Sequence, residues 1–598
     1  MTEKTRWQVV ATGAGIVVVT TFGFFLLFFN RFAGVRTING SGLAGSFILS
    51  GRIPYRDGFA ATPPLFALEN ALSTWLFGTA LIVQRIVGVF ERALLATVLY
   101  LWLSRLFRIS SATLGAIVAI VVSAGDITDP ISSYNHDTIL WAIAAGLFAS
   151  ICLEWMSNRT ASWASFLCGI SASLCLCDKQ TIGLGITVGV PVLVAASLWR
   201  SRDFRVAGRF VAWFCTGWVI PIATLSYWLY SHGALGLCVR QLFLDGPSAK
   251  AGAPTDFVMR WIMVTYRTPY LRAGFIIAAI LLILVVNRLF YPVRLPKDPG
   301  RDFRALVFVA GLSVVSIGLG VGAAYAGLTP WAVVVKASIY FTLMACGILA
   351  AVFSLGFLFG KLNDFQRQFW LLGAVGFVCA FMLSLSWPAF EAMVIPGLGF
   401  LVAAFLDSPS RRARAACYLA SGVLLFSLVV WKLCNPFGFA DWSEPPVMAA
   451  NTTPSLPELW GFRLPQPEVA MLEGAARIIR EHSTAQDTIF TYPSMPIFYA
   501  ISHRWWPGYT EDHNIDACPD NIAQADAARI LQAKPAVIIY YRQTPEYLKS
   551  EEALWRDGKR SGQRDIIAAV EKLVRGYKLA ASYDVPTTKL KLDVYVRH

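Results

Sequence analysis

The feature that most constrains this chain is a series of apolar runs, each about 20 residues long, which as helices would span the ~30 Å hydrocarbon core of a bilayer. Hydrophobic residues make up 56% of the sequence and charged residues only 15%, against about 25% charged in soluble chains. The sequence predicts thirteen spans, at 8–30, 84–104, 110–125, 138–156, 161–178, 181–199, 207–229, 271–290, 304–324, 330–357, 368–387, 391–407 and 415–433. The expected fold class is therefore a polytopic α-helical membrane protein.

The distribution of lysine and arginine predicts the orientation of these helices. Cytoplasmic loops of membrane proteins are enriched in both residues. With a cytoplasmic N-terminus, every loop on the inner side is basic, whereas the short outer loops 125–137, 325–329 and 388–390 contain neither residue. An odd number of spans then places the C-terminus outside. The net charge of +14 is mostly an orientation signal, and no nucleic-acid partner is expected.

The sequence changes character after residue 434. A polar, proline-rich stretch at 435–465 predicts a linker between a transmembrane domain (1–434) and a C-terminal domain (466–598). Helical and strand patterns alternate there, at 467–482, 488–492, 521–533, 535–541, 564–576, 579–583 and 591–596. This alternation predicts a small extracytoplasmic α/β domain. Cys434 and Cys518 both fall on the outer side, where a disulfide between them could form.

The first long outer loop, 31–83, carries the run Tyr55, Arg56 and Asp57. An amphipathic stretch at 63–78 follows, and its apolar and aromatic residues suit a helix lying in the membrane interface. One interpretation of the run is a local turn closed by a salt bridge. The other is a site in which Asp57 lies beside a lipid headgroup and Arg56 contacts its phosphate.

The loop 126–137 is short and acidic, and it ends just before the predicted span 138–156. Asp129 and Asp137, with Asn135 and His136, offer the hydrogen-bonding groups that sugar hydroxyls need, and they could also hold a divalent ion. The alternative is structural, since Asp129 precedes a proline in a favourable turn and Asp137 could cap the following helix.

Lys179 and Gln180 lie between two predicted spans at the outer face. An ionisable group at that depth is by default a functional hypothesis, here contact with a phosphate. The alternatives are that the lysine reaches out to the headgroups or pairs with Asp178. The second long outer loop, 230–270, is basic, and Arg267 is among its residues that could meet anionic lipid.

Four ordered motifs carry a family resemblance: Gly-x-x-Pro-Tyr-Arg-Asp at 51–57, Pro-Pro-Leu at 63–65, Ser-Tyr-Asn at 133–135 and Lys-Gln at 179–180. Together with the thirteen-span layout and an outer α/β domain, this order resembles the GT-C superfamily of membrane glycosyltransferases. The most similar members are bacterial enzymes akin to protein O-mannosyltransferase and to the aminoarabinose transferase that modifies lipid A. The resemblance covers the whole chain.

The resemblance implies an enzyme that moves a sugar from a polyprenyl-phosphate carrier to an acceptor hydroxyl on the outer face, with inversion. An acid in the first outer loop serves as general base in such enzymes, and basic residues hold the donor phosphate. Many relatives carry an acid early in that loop, where this chain has Asn39. The candidate catalytic acids are thus Asp57, Asp129 and Asp137, the candidate phosphate ligands Arg56, Lys179 and Arg267, and the candidate substrate contacts Tyr55, Asn135, His136 and Gln180.

The expected partners are a polyprenyl-phosphate-linked sugar, the bilayer, and an acceptor that is a lipid, a glycan or a protein. No cofactor is required for this reaction, and a divalent metal is optional. The resemblance favours the inner membrane of a bacterium. Two alternatives stay open: a transporter or flippase of lipid-linked sugars, which usually shows related halves that this sequence lacks, and a non-catalytic membrane scaffold.

Overall fold

The computed structural model of the chain describes most of its residues. They are 3–36, 42–125, 131, 133–154, 159–200, 204–249, 299–328, 395–408, 410–439, 441–585 and 590–598, with 371, 373–376 and 378–379. Within these ranges the molecule is a bundle of apolar helices, followed by a C-terminal part that contains a small sheet.

Up to residue 434 the described α-helices of more than three residues are α1 (Glu3–Phe25), α2 (Leu43–Leu49), α3 (Leu65–Phe77), α4 (Leu81–Leu106), α5 (Ile109–Ser123), α6 (Tyr134–Glu154), α7 (Arg159–Asp178), α8 (Gln180–Arg200), α9 (Phe204–Ser231), α10 (Leu235–Arg240), α11 (Pro299–Tyr325), α12 (Ile395–Leu406) and α13 (Arg411–Cys434). Eight helices in the described residues are long and apolar enough to cross a membrane: α1, α4, α6 to α9, α11 and α13. The chain is therefore a multi-pass helical membrane protein, as predicted. The predicted spans 271–290 and 330–357, and most of 368–387, lie outside the described residues, so the count of thirteen stays a prediction.

Two of the predicted spans are short, buried helices. α5 has 15 residues, and at ~1.5 Å per residue its length of about 22 Å is less than the ~30 Å hydrocarbon core. α12 has 12 residues and packs closely against α5, since a Cβ atom on Gly115 would lie 2.5 Å from the carbonyl oxygen of Gly399. Burial against other helices accounts for the apolar composition of both.

The helix ends divide between two faces of the bundle. On one face, Arg105 at the end of α4 forms an ion pair with Glu154 at the end of α6. The opposite face, called here the loop face, carries residues 31–36 and 42–80 and the starts of α4, α6 and α8. The C-terminal part of the chain contacts the loop face, where the amide of Arg463 donates to the carbonyl oxygen of Asn30 at 2.9 Å.

Helices α7 and α9 approach closely because glycines lie at their contact. A Cβ atom on Gly169 would lie 2.0 Å from the carbonyl oxygen of Phe214, and one on Gly217 would lie 2.1 Å from that of Phe166. Small residues at such contacts let the backbones of membrane helices pack tightly. Because α7 ends immediately before Lys179, this contact also sets the position of that lysine on the loop face.

After residue 434 come the strands β1 (Gly438–Phe439), β2 (Trp442–Ser443), β3 (Ile489–Tyr492), β4 (Val537–Tyr541), β5 (Tyr577–Asp584) and β6 (Lys591–Arg597), and the helices α14 (Gln466–His482), α15 (Pro496–Ser502), α16 (Asp520–Ala533), α17 (Pro545–Trp555) and α18 (Gln563–Val574). The sheet has the order β3-β4-β6-β5, with β3 and β4 parallel and the other pairs antiparallel. Its strands lie within a few residues of the predicted ones, whereas α15 and α17 were not predicted.

A buried arginine joins the first long loop to the C-terminal part. Arg36 is 1% exposed, forms an ion pair with Asp441 and donates to the side-chain oxygen of Asn514 at 2.8 Å. Phe32 stacks on Phe437, with 5.3 Å between the ring centres. The stretch 435–465, assigned as a linker from the sequence, is thus packed against the start of that loop.

The proposed disulfide does not form. Cys434 and Cys518 are both free thiols. Cys434, at the end of α13, lies 3.8 Å from the carbonyl oxygen of Leu328. Cys518 is buried inside the C-terminal part, against the carbonyl oxygen of Pro519. The sequence predicts that both cysteines lie on the outer side, but it does not determine the distance between them.

The contact between α7 and α9 gives a stability prediction. Gly217→Ala places a methyl group against the carbonyl oxygen of Phe166, so we expect α9 to be displaced and stability to fall by about 1–3 kcal/mol. Gly208→Ala, on the same helix, meets no atom within 4 Å and is the matched control. Thermal unfolding of both variants in detergent measures the difference. Equal melting temperatures for the two variants would contradict the close approach.

Candidate active site

A cavity of about 180 Å³ lies on the loop face, between the first long loop and the C-terminal part. Its walls come from α2, residues 54–64, the start of α3, the first residue of α6 and the loop 506–517. Most of the lining side chains are apolar. The polar ones are Tyr55, Thr62, Tyr134, Thr510, Glu511 and Asp512. An apolar cavity with a few polar groups is typical of a small-molecule site.

Gln241 and Tyr509 hold one wall of the cavity in place. The side-chain amide of Gln241 donates to the carbonyl oxygen of Tyr55 at 2.9 Å and to the hydroxyl of Tyr509 at 2.8 Å. That hydroxyl also donates to the carbonyl oxygen of Tyr55. Tyr55 has a φ of 69°, a left-handed conformation that is uncommon for a residue with a side chain. The two hydrogen bonds stabilise it there.

Tyr55 and Gln180, both predicted substrate contacts, have structural partners. The hydroxyl of Tyr55 is buried and donates to the carbonyl oxygen of Thr62 at 2.7 Å. The side-chain amide of Gln180 donates to the carbonyl oxygens of Ala61 and Leu242, at 3.2 and 3.3 Å. Tyr55 lines the cavity, and Gln180 supports the segment that forms its wall.

Lys179 and Asn135, which lie 44 residues apart in the sequence, meet beneath the cavity. The Nζ of Lys179 donates to the Oδ1 of Asn135 at 2.6 Å, and both side chains are buried. The same Nζ lies 5.2 Å from the ring centre of Tyr134, which lines the cavity. The sequence motifs at 133–135 and 179–180 are thus brought together as a buried cation and its polar partner.

Arg56 and Asp57 form a local ion pair. The guanidinium donates to both carboxylate oxygens, at 2.9 and 2.7 Å, and the amide of Ile53 donates to the Oδ2 of Asp57 at 2.8 Å. These bonds, first of all those from Arg56, hold the pKa of Asp57 below its usual value. Neither residue lines the cavity. This is the turn with a salt bridge that the sequence offered as the structural interpretation.

His136 is engaged with a buried arginine of α4. Arg92 is fully buried and lies 3.0 Å from Glu91, 2.8 Å from the Nδ1 of His136 and 2.8 Å from the carbonyl oxygen of Ile131. As the arginine can only donate, the Nδ1 of His136 accepts this bond. Glu91 and Arg92 of α4 therefore pair with each other, and Arg92 also holds the first turn of α6.

Asp137 does not line the cavity and belongs to a cluster of acids. Its carboxylate lies close to those of Glu69 in α3 and Asp178 at the end of α7. Neither of these two partners was a candidate from the sequence, because Glu69 lies in the interfacial helix and Asp178 was weighed only as a partner of Lys179. Asp129 and Arg267, like Asn39, lie outside the described residues.

Two carboxyl groups of the C-terminal part face the cavity, and sequence analysis missed both. Burial raises the pKa of Glu511 to about 8, with a smaller contribution from the neighbouring Asp512. Burial, followed by the charge of Asp516, raises the pKa of Asp512 to about 6. Asp512 also accepts the amide and the side chain of Asn514, at 2.9 and 2.8 Å. Both sit in a loop with no motif, so the sequence carried no signal for them.

Comparisons with known proteins give only distant structural likeness. No protein-family model matches the chain, and no curated protein matches it significantly. The chain is similar to the crystal structure of ArnT from Cupriavidus metallidurans bound to undecaprenyl phosphate, at 12% identity and a TM-score of 0.46, over 99% of this chain and 98% of that one.

Two further solved structures show a comparable likeness. The archaeal oligosaccharyltransferase AglB from Archaeoglobus fulgidus, in complex with an inhibitory peptide and a dolichol-phosphate, has 14% identity and a TM-score of 0.48, over 97% of this chain and 74% of that one. The arabinofuranosyltransferase AftD from Mycobacteria has 13% identity and a TM-score of 0.44, over 99% of this chain and 40% of that one. Values this low carry no argument about activity.

The raised pKa of Glu511 gives a pH prediction. Folded, this carboxyl stays neutral up to a pH of about 8, whereas unfolded it ionises near its ordinary value of 4.5. Between those pH values the folded state binds more protons than the unfolded state, so the free energy of unfolding falls as pH rises. Glu511→Gln removes this loss, and its melting temperature should rise relative to the unmodified protein from pH 5 to pH 8.

The control for this measurement is Glu546→Gln, which changes an exposed carboxylate on α17. Its melting curve should follow that of the unmodified protein at every pH. A constant difference between Glu511→Gln and the unmodified protein across this range would show that the carboxyl does not titrate near neutrality.

Proposed function

We propose that the chain is a glycosyltransferase that moves a sugar from a polyprenyl-phosphate donor to an acceptor hydroxyl in the cavity of the loop face. The observation that carries the proposal is the arrangement around the cavity. Carboxyl groups of the C-terminal part line one side, and the contact of Lys179 with Asn135 lies beneath Tyr134 on another. A carboxylate and a cation at one apolar cavity suit transfer from a lipid phosphate.

Lys179 is the proposed contact for the donor phosphate. It is 5% exposed, and burial in an apolar setting strengthens the attraction between an ammonium and a phosphate. Asn135 positions the Nζ by accepting one of its three hydrogens. As the carrier leaves, this charge stabilises the negative charge that develops on the phosphate. Arg56 and Arg267 remain predicted phosphate ligands from the sequence.

Asp512 is the proposed general base, with Glu511 beside it. A base works best when its pKa lies near the operating pH, and burial raises the pKa of Asp512 to about 6. At neutral pH Asp512 is then ionised and still basic enough to take a proton from a hydroxyl. Its Oδ1 is engaged by Asn514, so the Oδ2 is the proposed proton acceptor. Asp57, Asp129 and Asp137 remain the bases predicted from the sequence.

The reaction needs no cofactor for its balance of atoms and charge. The bond between the anomeric carbon and the carrier phosphate oxygen breaks, and a bond from the acceptor oxygen to that carbon forms. The acceptor proton passes to the carboxylate, and the electron pair of the broken bond stays on the phosphate. Attack from the face opposite the phosphate inverts the anomeric carbon. We place this reaction on the outer side of a bacterial inner membrane, following the basic loops of the opposite side.

Release of the carrier phosphate tests the proposal. The purified chain in nanodiscs is incubated with a panel of polyprenyl-phosphate sugars, and free polyprenyl phosphate is measured. We expect release to fall about 10²- to 10⁴-fold in Asp512→Asn, because the base is lost. Lys179→Met should also lose release, since the phosphate loses its cation. Glu546→Gln, which changes an exposed carboxylate outside the cavity lining, is the control that retains release.

Other outcomes identify the alternatives. If Asp512→Asn releases the carrier as the unmodified chain does and Asp57→Asn releases none, the base is Asp57 in the first long loop. Movement of the lipid-linked sugar across vesicles without bond cleavage would support a flippase. Neither cleavage nor movement with any donor of the panel would support a scaffold, and would overturn the proposed activity.

A further inference from the structure

Three carboxylates converge inside the helix bundle, next to the cavity but outside its lining. Glu69 comes from α3, Asp137 from the first turn of α6 and Asp178 from the last residue of α7. One carboxylate oxygen of each lies within 4.8 Å of the others. Asp137 and Asp178 are 3% and 0% exposed, and Glu69 is half-buried. Helices far apart in the sequence thus bring three acids to one point.

The oxygens of this cluster lack hydrogen-bond partners. Neither carboxylate oxygen of Asp178 accepts a hydrogen bond among the described residues, and the same holds for the Oδ2 of Asp137. Trp141 lies near Asp178, but its indole N–H also has no hydrogen-bond partner among the described residues. Buried polar groups are normally paired, and an unpaired buried carboxylate is costly. The carboxylate of Asp178 therefore points to a ligand that is not part of the polypeptide.

The nearby cations have other partners. Arg92 forms its ion pair with Glu91, at 3.0 Å, and also contacts His136. Lys179 donates to Asn135. No ion pair between a lysine or arginine and Glu69, Asp137 or Asp178 is present in the described part of the chain. Glu91 also lies close enough to act on the cluster, and its ion pair with Arg92 offsets its charge.

We propose that Glu69, Asp137 and Asp178 bind a hard divalent cation of the Mg²⁺ or Mn²⁺ class. Such ions prefer oxygen ligands at about 2.0–2.4 Å, so oxygens that share one lie at most about twice that distance apart. The spread of 4.8 Å in the cluster fits this limit after small adjustments of the side chains. No Cys or His sulfur or nitrogen belongs to the cluster, which disfavours Zn²⁺.

The site goes beyond the proposed activity and does not depend on it. The ion would tie the end of α7 to the starts of α3 and α6, which carry Lys179 and Asn135 into contact. Its binding is measured without any sugar donor, so a chain that binds the ion but transfers nothing would leave this inference intact. A chain that transfers a sugar without binding the ion would overturn it and leave the activity standing.

Titration with Mn²⁺ alone tests the site. The chain is reconstituted in phosphatidylcholine nanodiscs, stripped with chelator and titrated, and free Mn²⁺ is followed by its electron paramagnetic resonance signal. We expect saturable binding of one ion per chain, with affinity lowered at least ~10-fold in Asp178→Asn and in Asp137→Asn. Mn²⁺ should also raise the melting temperature of the unmodified chain, and not that of Asp178→Asn.

Glu468→Gln is the matched control, because Glu468 is 1% exposed and belongs to a buried acidic pair with Glu444, away from the cluster. It removes a buried acid as the other variants do, and should bind Mn²⁺ like the unmodified chain. The proposal is overturned if the unmodified chain shows no saturable binding, a result that needs no variant to fold. It is overturned equally if Asp178→Asn and Glu468→Gln bind Mn²⁺ with the affinity of the unmodified chain.

Discussion

Charged and polar groups at the ends of membrane helices must find partners inside the protein, because the bilayer offers none, and the loop face depends on this constraint. Lys179 meets Asn135, and Arg92 meets Glu91 and His136. The first contact joins the end of α7 to α6, and the bond from Arg92 to His136 joins α4 to α6. If the helices separated, lipid would not replace these hydrogen bonds. Losing a contact would therefore leave a polar or charged group without a partner in the bilayer.

The C-terminal part completes the site. Tyr509 and Gln241 hold the left-handed turn at Tyr55, and Arg36 anchors the first long loop beneath the sheet. The loop that follows β3 and α15 then closes over the cavity with Glu511 and Asp512. Its acids are partly shielded from water there, and burial brings the pKa of both towards neutrality. Tyr134, whose ring lies over Lys179, and the carboxylates from outside the bundle line one cavity through this packing.

The sequence predicted what local pattern determines. Apolar runs identified the membrane helices, and alternating patterns identified the strands β3 to β6. It also singled out Asn135 and Lys179, whose contact is present, because polar residues at helix ends are conspicuous in an apolar chain. It did not single out Glu69 or Asp178 as a pair, since their proximity arises from the packing of α3 on α7. Glu511 and Asp512 had no local signal at all.

Asp57 shows that a motif in the sequence does not by itself identify a catalytic acid. Its motif drew attention, but the neighbouring Arg56 neutralises it, and the pair lies beside the cavity without lining it. Only the fold distinguishes an acid that closes a turn from one that faces a substrate.

The most direct measurement of the central claim is a cryo-electron microscopy map of the chain in nanodiscs loaded with polyprenyl phosphate. The account predicts density for the phosphate in the cavity, within hydrogen-bond reach of Lys179, and for the first isoprene units along the apolar walls near Phe66. Phosphate density at the opposite face of the bundle, or an empty cavity at saturating lipid, would contradict it.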